Sequence, residues 1–360
     1  MDTEIESARA LHDKSLAARN EGRYREAESF AREALVLWEK FQKPDHPDVA
    51  NVLNSLAAIQ IDLGNYEQAG RFAQRSVAIT QSWDNDIDQI RLRVQSLNQL
   101  ATVYRVQGLY DQAEPLFRNA LTFAGAKLDA NDFCVALALN NLAVLYKFTG
   151  RFEEAEQLYR RALGITEKTL GVDHPDVAAI YHNLGGLEHE RGRYAQGEPY
   201  ARRSVEIRQK ALGPDHPEVA ADVAALAALL DGQGKFDEAE ELYRRALAVF
   251  ERVYGAEHYE LAVNFNNLAA IQHKKGNEIE AERLYKRALA IKEKVLGRDH
   301  PDVAMTLNNL AVSYKARGKL GQAKKLYRRA LAIFSKALGP DHPNVIVCRE
   351  NYNDLRREMR

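Results

Sequence analysis

The sequence has few of the features that would set it apart from an ordinary soluble protein. It contains two cysteines among 360 residues, Cys134 and Cys348, too far apart for a metal-binding or redox pair. We expect both thiols to be reduced and buried. No apolar run approaches the ~20 residues needed to cross a bilayer, so no membrane partner is predicted. The N-terminal stretch lacks the apolar centre of a signal peptide, which favours a cytoplasmic location.

The sequence also lacks an excess of charge of either sign. Lysine and arginine total 50 and aspartate and glutamate total 51, a formal net charge of −1. A general nucleic-acid binder carries a basic face for the phosphates, so no nucleic-acid partner is predicted.

Catalytic signatures are absent from the sequence as well. There is no P-loop, no G-x-S-x-G elbow, no Rossmann glycine pattern and no C-x-x-C pair. His182 and His189 lie two helical turns apart, whereas the HExxH zinc pattern places its histidines one turn apart. We therefore predict a non-enzyme without metal or cofactor. A hydrolase using His182 and His189 is the weakest alternative.

What the sequence does contain is an internal repeat. A turn built on glycine recurs in steps of 42 residues, except for one step of 44 between the second and third turns. A fixed period of this length is the signature of a solenoid. The turn glycines are Gly22, Gly64, Gly108, Gly150, Gly192, Gly234, Gly276 and Gly318.

Each repeat has the pattern of two helices. Leu139, Leu142 and Tyr146 recur at helical spacing before Gly150, and a second helical pattern follows that glycine. One helix pair cannot bury its own apolar face, so each needs neighbours. Small residues on the second helices let helices approach closely; they include Ala155, Ala162, Ala239, Ala246, Ala281, Ala288, Ala323 and Ala330.

The segment LGPDHPEVA at 212–220 and its copies are predicted to link one repeat to the next. Gly213 ends a helix, Asp215 is the predicted N-cap with Glu218 completing a capping box, and Pro217 lies in the first turn. Asp173 and Asp299 repeat the arrangement. The histidines of these linkers should lie roughly 10 Å apart, too far to share one metal. They are His174, His216, His300 and His342.

The repeated pattern, with LNNLA, EAE, LY-x-RAL and DHPDVA in order, resembles the tetratricopeptide repeats of kinesin light chain and of stand-alone bacterial proteins built from that repeat. The resemblance covers roughly residues 5–340. It implies an all-α, right-handed α-solenoid of eight helix-turn-helix repeats over 1–340. A capping helix is predicted over 341–360. In repeat 1, Lys14 and Ser15 replace the usual Leu-Ala, so this repeat is predicted to have one solvent-exposed side. No heptad coiled coil for a motor heavy chain is present.

The resemblance further implies a concave groove, lined by the first helices, that holds an extended and often acidic peptide. Asparagines ten residues before the turn glycines can hold a peptide backbone, because an amide both donates and accepts. The alternative is that they bond to neighbouring helices. The predicted polar groove residues are Arg91, Asn98, Arg105, Asn140, Lys147, His182, His189, Asn266, Asn308 and Lys315.

Small groove residues predict a place for a bulky apolar side chain of the ligand, near Gly186, Ala228 and Ala270. The alternative is that these small residues only tighten the superhelix. Repeat 6 departs from the family pattern, because Ala224 and Asp231 replace the asparagine and the cation.

Three functions remain open from the sequence. The first is a scaffold that binds a protein or peptide partner. The second is a regulatory array that controls a separately encoded enzyme. The third is a self-assembling array that forms homo-oligomers. The sequence does not identify the partner.

Overall fold

The structure is a computed structural model that describes residues 2–338, 340 and 342–359, with only the backbone of residue 2. Within these residues the chain forms seventeen α-helices and no β-strand. The odd-numbered helices are the first helices of the repeats. They are α1 (Asp2–Asn20), α3 (Pro47–Asp62), α5 (Ile87–Val106), α7 (Phe133–Phe148), α9 (Pro175–Glu190), α11 (Pro217–Gly232), α13 (Tyr259–Lys274), α15 (Pro301–Ala316) and α17 (Pro343–Glu358).

The even-numbered helices are the second helices of the eight repeats. They are α2 (Tyr24–Phe41), α4 (Tyr66–Thr80), α6 (Tyr110–Lys127), α8 (Phe152–Leu170), α10 (Tyr194–Leu212), α12 (Phe236–Tyr254), α14 (Glu278–Leu296) and α16 (Leu320–Ala337). Consecutive helices pack against each other, as in α13 with α14 and α14 with α15. The predicted all-α solenoid of helix pairs is confirmed; the handedness stays a prediction.

The chain divides into two compact units. The first comprises Met1–Lys147, Phe152–Asn183 and Glu206–His216, and the second comprises Phe148–Arg151, Leu184–Val205 and Pro217–Arg360. In the first unit Trp38, Leu53 and Leu56 are almost fully buried, and in the second Tyr243 and Tyr327 are. Each unit therefore has its own core of stacked helix pairs.

The turn glycines have the conformation that the sequence predicts. All eight have positive φ; that of Gly64 is 76°. There the N–H of Asn65 donates to the carbonyl of Gln60 at 2.7 Å, and the N–H of Gly64 donates to the carbonyl of Ile61 at 2.9 Å. These bonds satisfy the last carbonyls of α3, and a side chain at Gly64 would be strained.

The helix starts correct one prediction, because histidine and not aspartate is the N-cap. Nδ1 of His300 accepts the N–H of Asp302 at 3.1 Å, so Asp299 lies one residue too early to cap α15. Helix α11 begins at Pro217, which likewise puts His216, not Asp215, at the cap position. The physical reason is the proline, which holds the residue before it extended: His300 has φ −74° and ψ 141°.

The same histidines make a second contact through the other ring nitrogen. Because Nδ1 of His342 accepts the N–H of Asn344, its Nε2 carries the proton and donates to the carbonyl of Phe148 at 3.0 Å within the second unit. In the first unit, Nε2 of His216 donates to the carbonyl of Asn20 at 2.7 Å. Linker histidines thus join segments that are almost two hundred residues apart in sequence.

The linkers before α5 and α7 lack the His-Pro pair and use aspartate instead. Asp86 accepts the N–H of Asp88 at 3.2 Å at the start of α5, and Asp132 accepts the N–H of Cys134 at 2.8 Å at the start of α7. Both linkers flank the third repeat. The carboxylate takes the place of the imidazole where the His-Pro pair is missing.

The small residues pack as expected. The side chains of the predicted alanines are fully buried, as at Ala239 and Ala281. Repeat 5 has glycine at two positions that are alanine in most repeats, Gly185 and Gly197. A Cβ on Gly197 would lie 2.6 Å from the side chain of Leu229 and 3.1 Å from the carbonyl oxygen of Gly185. Only glycine allows this close approach between α9 and α10.

The terminal helices present polar side chains. Asp341, the predicted start of the capping helix, lies outside the described residues. Helix α17 buries Val345, Cys348 and Leu355. At the other end, Lys14 is exposed, but Ser15 is buried and donates to the carbonyl of Ala27 at 2.8 Å. Ser15 therefore does not lie on the predicted solvent-exposed side, because its side chain faces α2.

Candidate ligand-binding faces

A polar stripe runs along one face of α5 in the first unit. Arg91, Gln95, Asn98, Thr102 and Arg105 follow alternating steps of four and three residues, which places them on one side of the helix. Gln95 is exposed and Arg91, Thr102 and Arg105 are half-buried. We call these five residues the α5 stripe.

The arginine at the start of the α5 stripe already has a partner. Its Nη2 lies 2.8 Å from Oδ2 of Asp132, the residue that caps α7, and its Nη1 lies 3.4 Å from Asp88. The hydrogen bond from Arg91 to Asp132 raises the pKa of the guanidinium. Much of its charge is therefore balanced by Asp132.

The asparagine in the middle of the α5 stripe has no partner. The side chain of Asn98 is 3% exposed, and among the described residues neither its Nδ2 nor its Oδ1 forms a hydrogen bond. On the preceding first helix, Asn54 donates to Ser96 at 3.0 Å, while its Oδ1 likewise lacks a partner in the described part of the chain. A buried amide without hydrogen bonds costs about 1–3 kcal/mol.

The other predicted asparagines bond to the next repeat. Oδ1 of Asn140 accepts from Asn183 at 2.9 Å in the first unit. In the second unit, Oδ1 of Asn266 accepts from Asn309 at 3.4 Å, and Oδ1 of Asn308 accepts from Asn351 at 3.2 Å. For these three residues the structure shows the alternative that the sequence left open, bonds to neighbouring helices.

Cross-repeat pairs also occupy charged positions three residues before the turn glycines. Lys315 lies 2.7 Å from Glu358, and in repeat 6 Asp231 accepts from Lys274 at 2.8 Å. In the first unit, Arg19 lies 2.6 Å from Asp62. Arg105 and Lys147 are half-buried in that unit and also interact with other groups. The structure therefore gives these faces less net positive charge than the sequence suggests.

The two predicted histidines of α9 belong to different units. His182 is half-buried in the first. In the second, the ring of His189 meets the edge of Tyr194 at 5.3 Å between centroids, and its Nδ1 lies 3.7 Å from Glu190. The described residues contain no group of three or more histidine, cysteine, aspartate or glutamate side chains placed to hold a metal.

The three residues of the predicted apolar pocket all lie in the second unit. Gly186, Ala228 and Ala270 are half-buried, and the two alanines pack against the core of that unit. The tight helix crossing in this repeat involves the neighbouring residue Gly185, whose Cβ would lie 3.4 Å from the backbone nitrogen of Ala201.

Glu282 binds cations of two repeats. It pairs with Lys286 one helical turn later at 2.7 Å, and it also binds Lys319 at 2.8 Å and Arg317, both in the next repeat. Burial alone would raise the pKa of Glu282, but hydrogen bonds from Lys286 and Lys319 outweigh it and lower the pKa to about 2. Glu282 thus joins repeats 7 and 8.

Glu198 and Glu240 join earlier repeats in the same way. Glu198 binds Lys235 at 3.1 Å, and Glu240 binds Lys275 at 2.7 Å. A hydrogen bond from Gln233, together with Arg202 and Lys235, lowers the pKa of Glu198 to about 2. The 42-residue spacing of Glu198, Glu240 and Glu282 was visible in the sequence.

Sequence reasoning missed a buried charged cluster in repeat 7. Lys292 is 3% exposed, and its Nζ donates to the carbonyl of Asp302 at 3.4 Å. Burial lowers the pKa of Lys292 and raises the pKa of Glu260 to about 7. The preceding and following repeats have Phe250 and Phe334 at this position, so a lysine among aromatic residues was the available signal.

The sequence profile of the tetratricopeptide repeat matches nearly the whole chain. The matched segments are 6–82, 92–168, 134–196, 176–252, 220–294, 260–336 and 302–359. A comparison with curated protein sequences gives no match. No described helix is long and apolar enough to cross a membrane.

Solved structures similar to the chain include BtubC (BKLC) from P. vanneervenii, with 27% identity over 66% of this chain and 93% of that one and a TM-score of 0.46. A putative kinesin light chain from Podospora anserina is 28% identical over 55% of this chain and 94% of that one, with a TM-score of 0.41. A Rap protein complexed with competence and sporulation factor is 14% identical over 99% of both chains; its TM-score of 0.62 shows a shared fold.

Proposed function

Because the chain belongs to the tetratricopeptide repeat family, whose stacked helix pairs form extended binding surfaces, we propose that it is a non-catalytic scaffold. Its ligand is an extended, acidic peptide segment of a partner protein, bound along the first helices. The α5 stripe is the principal contact in the first unit.

The observation that carries this proposal is the unpartnered amide of Asn98. A peptide backbone offers a donor and an acceptor to the two unused atoms of the carboxamide. Both atoms are buried in the unbound chain, so binding requires the side chains that cover Asn98 to move. Binding would recover the free energy that the isolated amide costs, about 1–3 kcal/mol. Asn140, Asn266 and Asn308 recover it from the next repeat instead, so they contribute less to the ligand.

Charge supports an acidic segment. Arg91 and Arg105 lie on the α5 stripe, and Lys147 is the corresponding cation on α7. Asp132 balances part of the charge of Arg91. We propose that acidic ligand groups lie against these three cations, and that a bulky apolar ligand side chain lies near Gly186, Ala228 and Ala270 in the second unit.

The test uses peptides selected from a random library on the full chain. Asn98→Ala should weaken binding roughly ten-fold, about 1.4 kcal/mol, without lowering the unfolding midpoint. Asn308→Ala is the matched control and should bind nearly as well as the parent. Arg105→Glu with Lys147→Glu should weaken binding and flatten its dependence on salt. Gly186→Trp should block an apolar anchor.

The proposal fails if Asn98→Ala and the double charge variant bind every selected peptide as tightly as the parent chain. The ligand would then use the second helices or the ends of the array. Unchanged binding by Gly186→Trp alone would remove the apolar pocket and leave the α5 stripe in place.

A further inference from the structure

Most second helices carry an ion pair at the same place. A glutamate six residues after the turn glycine pairs with an arginine or lysine one helical turn later. The pairs are Glu28–Arg32, Glu114–Arg118, Glu156–Arg160, Glu198–Arg202, Glu240–Arg244 and Glu282–Lys286. Repeat 2 has the uncharged Gly70 and Gln74 there. Pairs with this spacing and order stabilise a helix.

Repeat 8 has a lysine at the position of the glutamate and keeps a cation one turn later. Its residues are Lys324 and Arg328, and α16 contains no aspartate or glutamate along its length. Like charges one turn apart destabilise a helix by about as much as an ion pair stabilises it. A local rule broken without a compensating contact is a feature expected at functional surfaces.

Helix α17, which packs against α16, adds two exposed arginines. In repeat 8, Leu307, Ala311 and Tyr314 are buried on the first helix α15, which packs on α16. The residues 42 positions later on α17 are Arg349, Asn353 and Arg356, and all three are exposed. The face that accepts a helix in the preceding repeat is therefore polar and basic here.

We define the end face as Lys324, Arg328, Arg349 and Arg356. Lys324 is half-buried and the three arginines are exposed. Within the described part of the chain, none of the four forms an ion pair; Arg356 lies 6.0 Å from the ring of Tyr352. The acids of α17 do not neutralise the end face. Two of them pair elsewhere, Asp354 with Arg357 at 3.2 Å and Glu358 with Lys315 at 2.7 Å, and the third, Glu350, is exposed.

We propose that the end face binds an acidic helix of a partner protein. Helix α16 packs against the corresponding face of α15, so this face of α17 has a shape that fits a helix. Because cations replace the apolar residues here, the bound helix must carry acidic side chains. Four cations are fewer than the roughly 6–10 phosphate contacts of a typical DNA-binding protein. None of these four residues is among the proposed peptide-binding residues of the preceding first helices.

The test measures binding of a labelled, glutamate-rich helical peptide to the full chain, with a glutamine-for-glutamate peptide as the uncharged reference. Lys324→Glu with Arg349→Glu should weaken binding of the acidic peptide by about ten-fold or more. The unfolding midpoint should not fall, because a glutamate at 324 can pair with Arg328 as in the other repeats.

The control is Arg25→Glu with Arg161→Glu, which makes the same change in net charge at exposed cations on α2 and α8. This variant should bind the acidic peptide as the parent does. Equal losses in both double variants would show that net charge alone attracts the peptide, and the proposal would be wrong. It would also be wrong if the acidic peptide did not bind, or if duplex DNA or phosphatidylserine vesicles displaced it from this face.

Discussion

Helices α5 and α13 occupy the same place in their repeats, yet they use the same asparagine differently. On α13, Asn266 is bonded to Asn309 of the next repeat. On α5, Asn98 has neither amide atom bonded among the described residues, although Asn141 stands at the position equivalent to Asn309. Asparagine stands at both positions of each pair, so the residue types at these positions do not decide whether the bond forms. Cross-repeat pairing, and not the asparagine alone, decides which first helix has an amide available for a ligand.

The largest effect on stability is expected from replacing Lys292, the buried lysine of the second unit. Lys292→Ala should lower the free energy of unfolding by about 3 kcal/mol, because it leaves a cavity at this buried position and removes the hydrogen bond to the carbonyl of Asp302. The matched variant Lys292→Met restores an apolar side chain, like Phe250 and Phe334, and should be close to neutral. Urea unfolding of both variants measures the difference; equal losses would show that the lost ammonium group matters and the lost volume does not.

The methionine variant also has a predicted pH dependence. The pKa of Glu260 is raised to about 7, so its folded form holds a proton that the unfolded chain releases near pH 4.5. Stability is therefore lost as pH rises from about 4.5 to 7. Without the positive charge of Lys292, the pKa should rise further and the loss should extend to higher pH. A Lys292→Met variant whose stability has the parent's pH profile would contradict this.

Replacing each asparagine by alanine tests the difference between α5 and α13. Asn266→Ala should cost about 1–2 kcal/mol, because it leaves Asn309 without its acceptor. Asn98→Ala removes an amide that has no bond to lose, so it should be neutral or slightly stabilising. Thermal unfolding of the two variants under identical conditions gives the ranking. The reverse ranking would mean that Asn98 is satisfied in solution.

Acid should weaken the joints between repeats of the second unit. Glu282 and Glu198 have pKa values lowered to about 2. A lowered carboxyl pKa contributes stability above the unfolded value, near 4.5, and this contribution is lost as pH falls from there towards 2. Glu282→Gln should cost roughly 1 kcal/mol at neutral pH and should reduce the loss of stability below pH 4.5. An unchanged acid profile would show that Glu282 does not join the repeats.

Sequence reasoning predicted the fold well because the fold depends on periodic features. The turn glycines, the two-helix repeats and the buried alanines follow from spacing, and the structure has them where expected. The N-cap was wrong by one residue, since the proline after His300 fixes where α15 begins. The state of the groove residues could not be predicted in the same way. Asn266 bonds to an asparagine of the next repeat and Asn98 does not, although both next repeats have an asparagine at that position, so residue identity alone does not encode the bond.

We expect the amide of Asn98 to make α5 the principal peptide contact. Hydrogen–deuterium exchange of the full chain, with and without a library-selected peptide, tests it most directly. We predict that the peptide slows exchange most strongly along Ile87–Val106, and that Asn98→Ala removes this protection at the same peptide concentration. Protection confined to second helices, or equal protection of α5 in the parent and in Asn98→Ala, would contradict the claim.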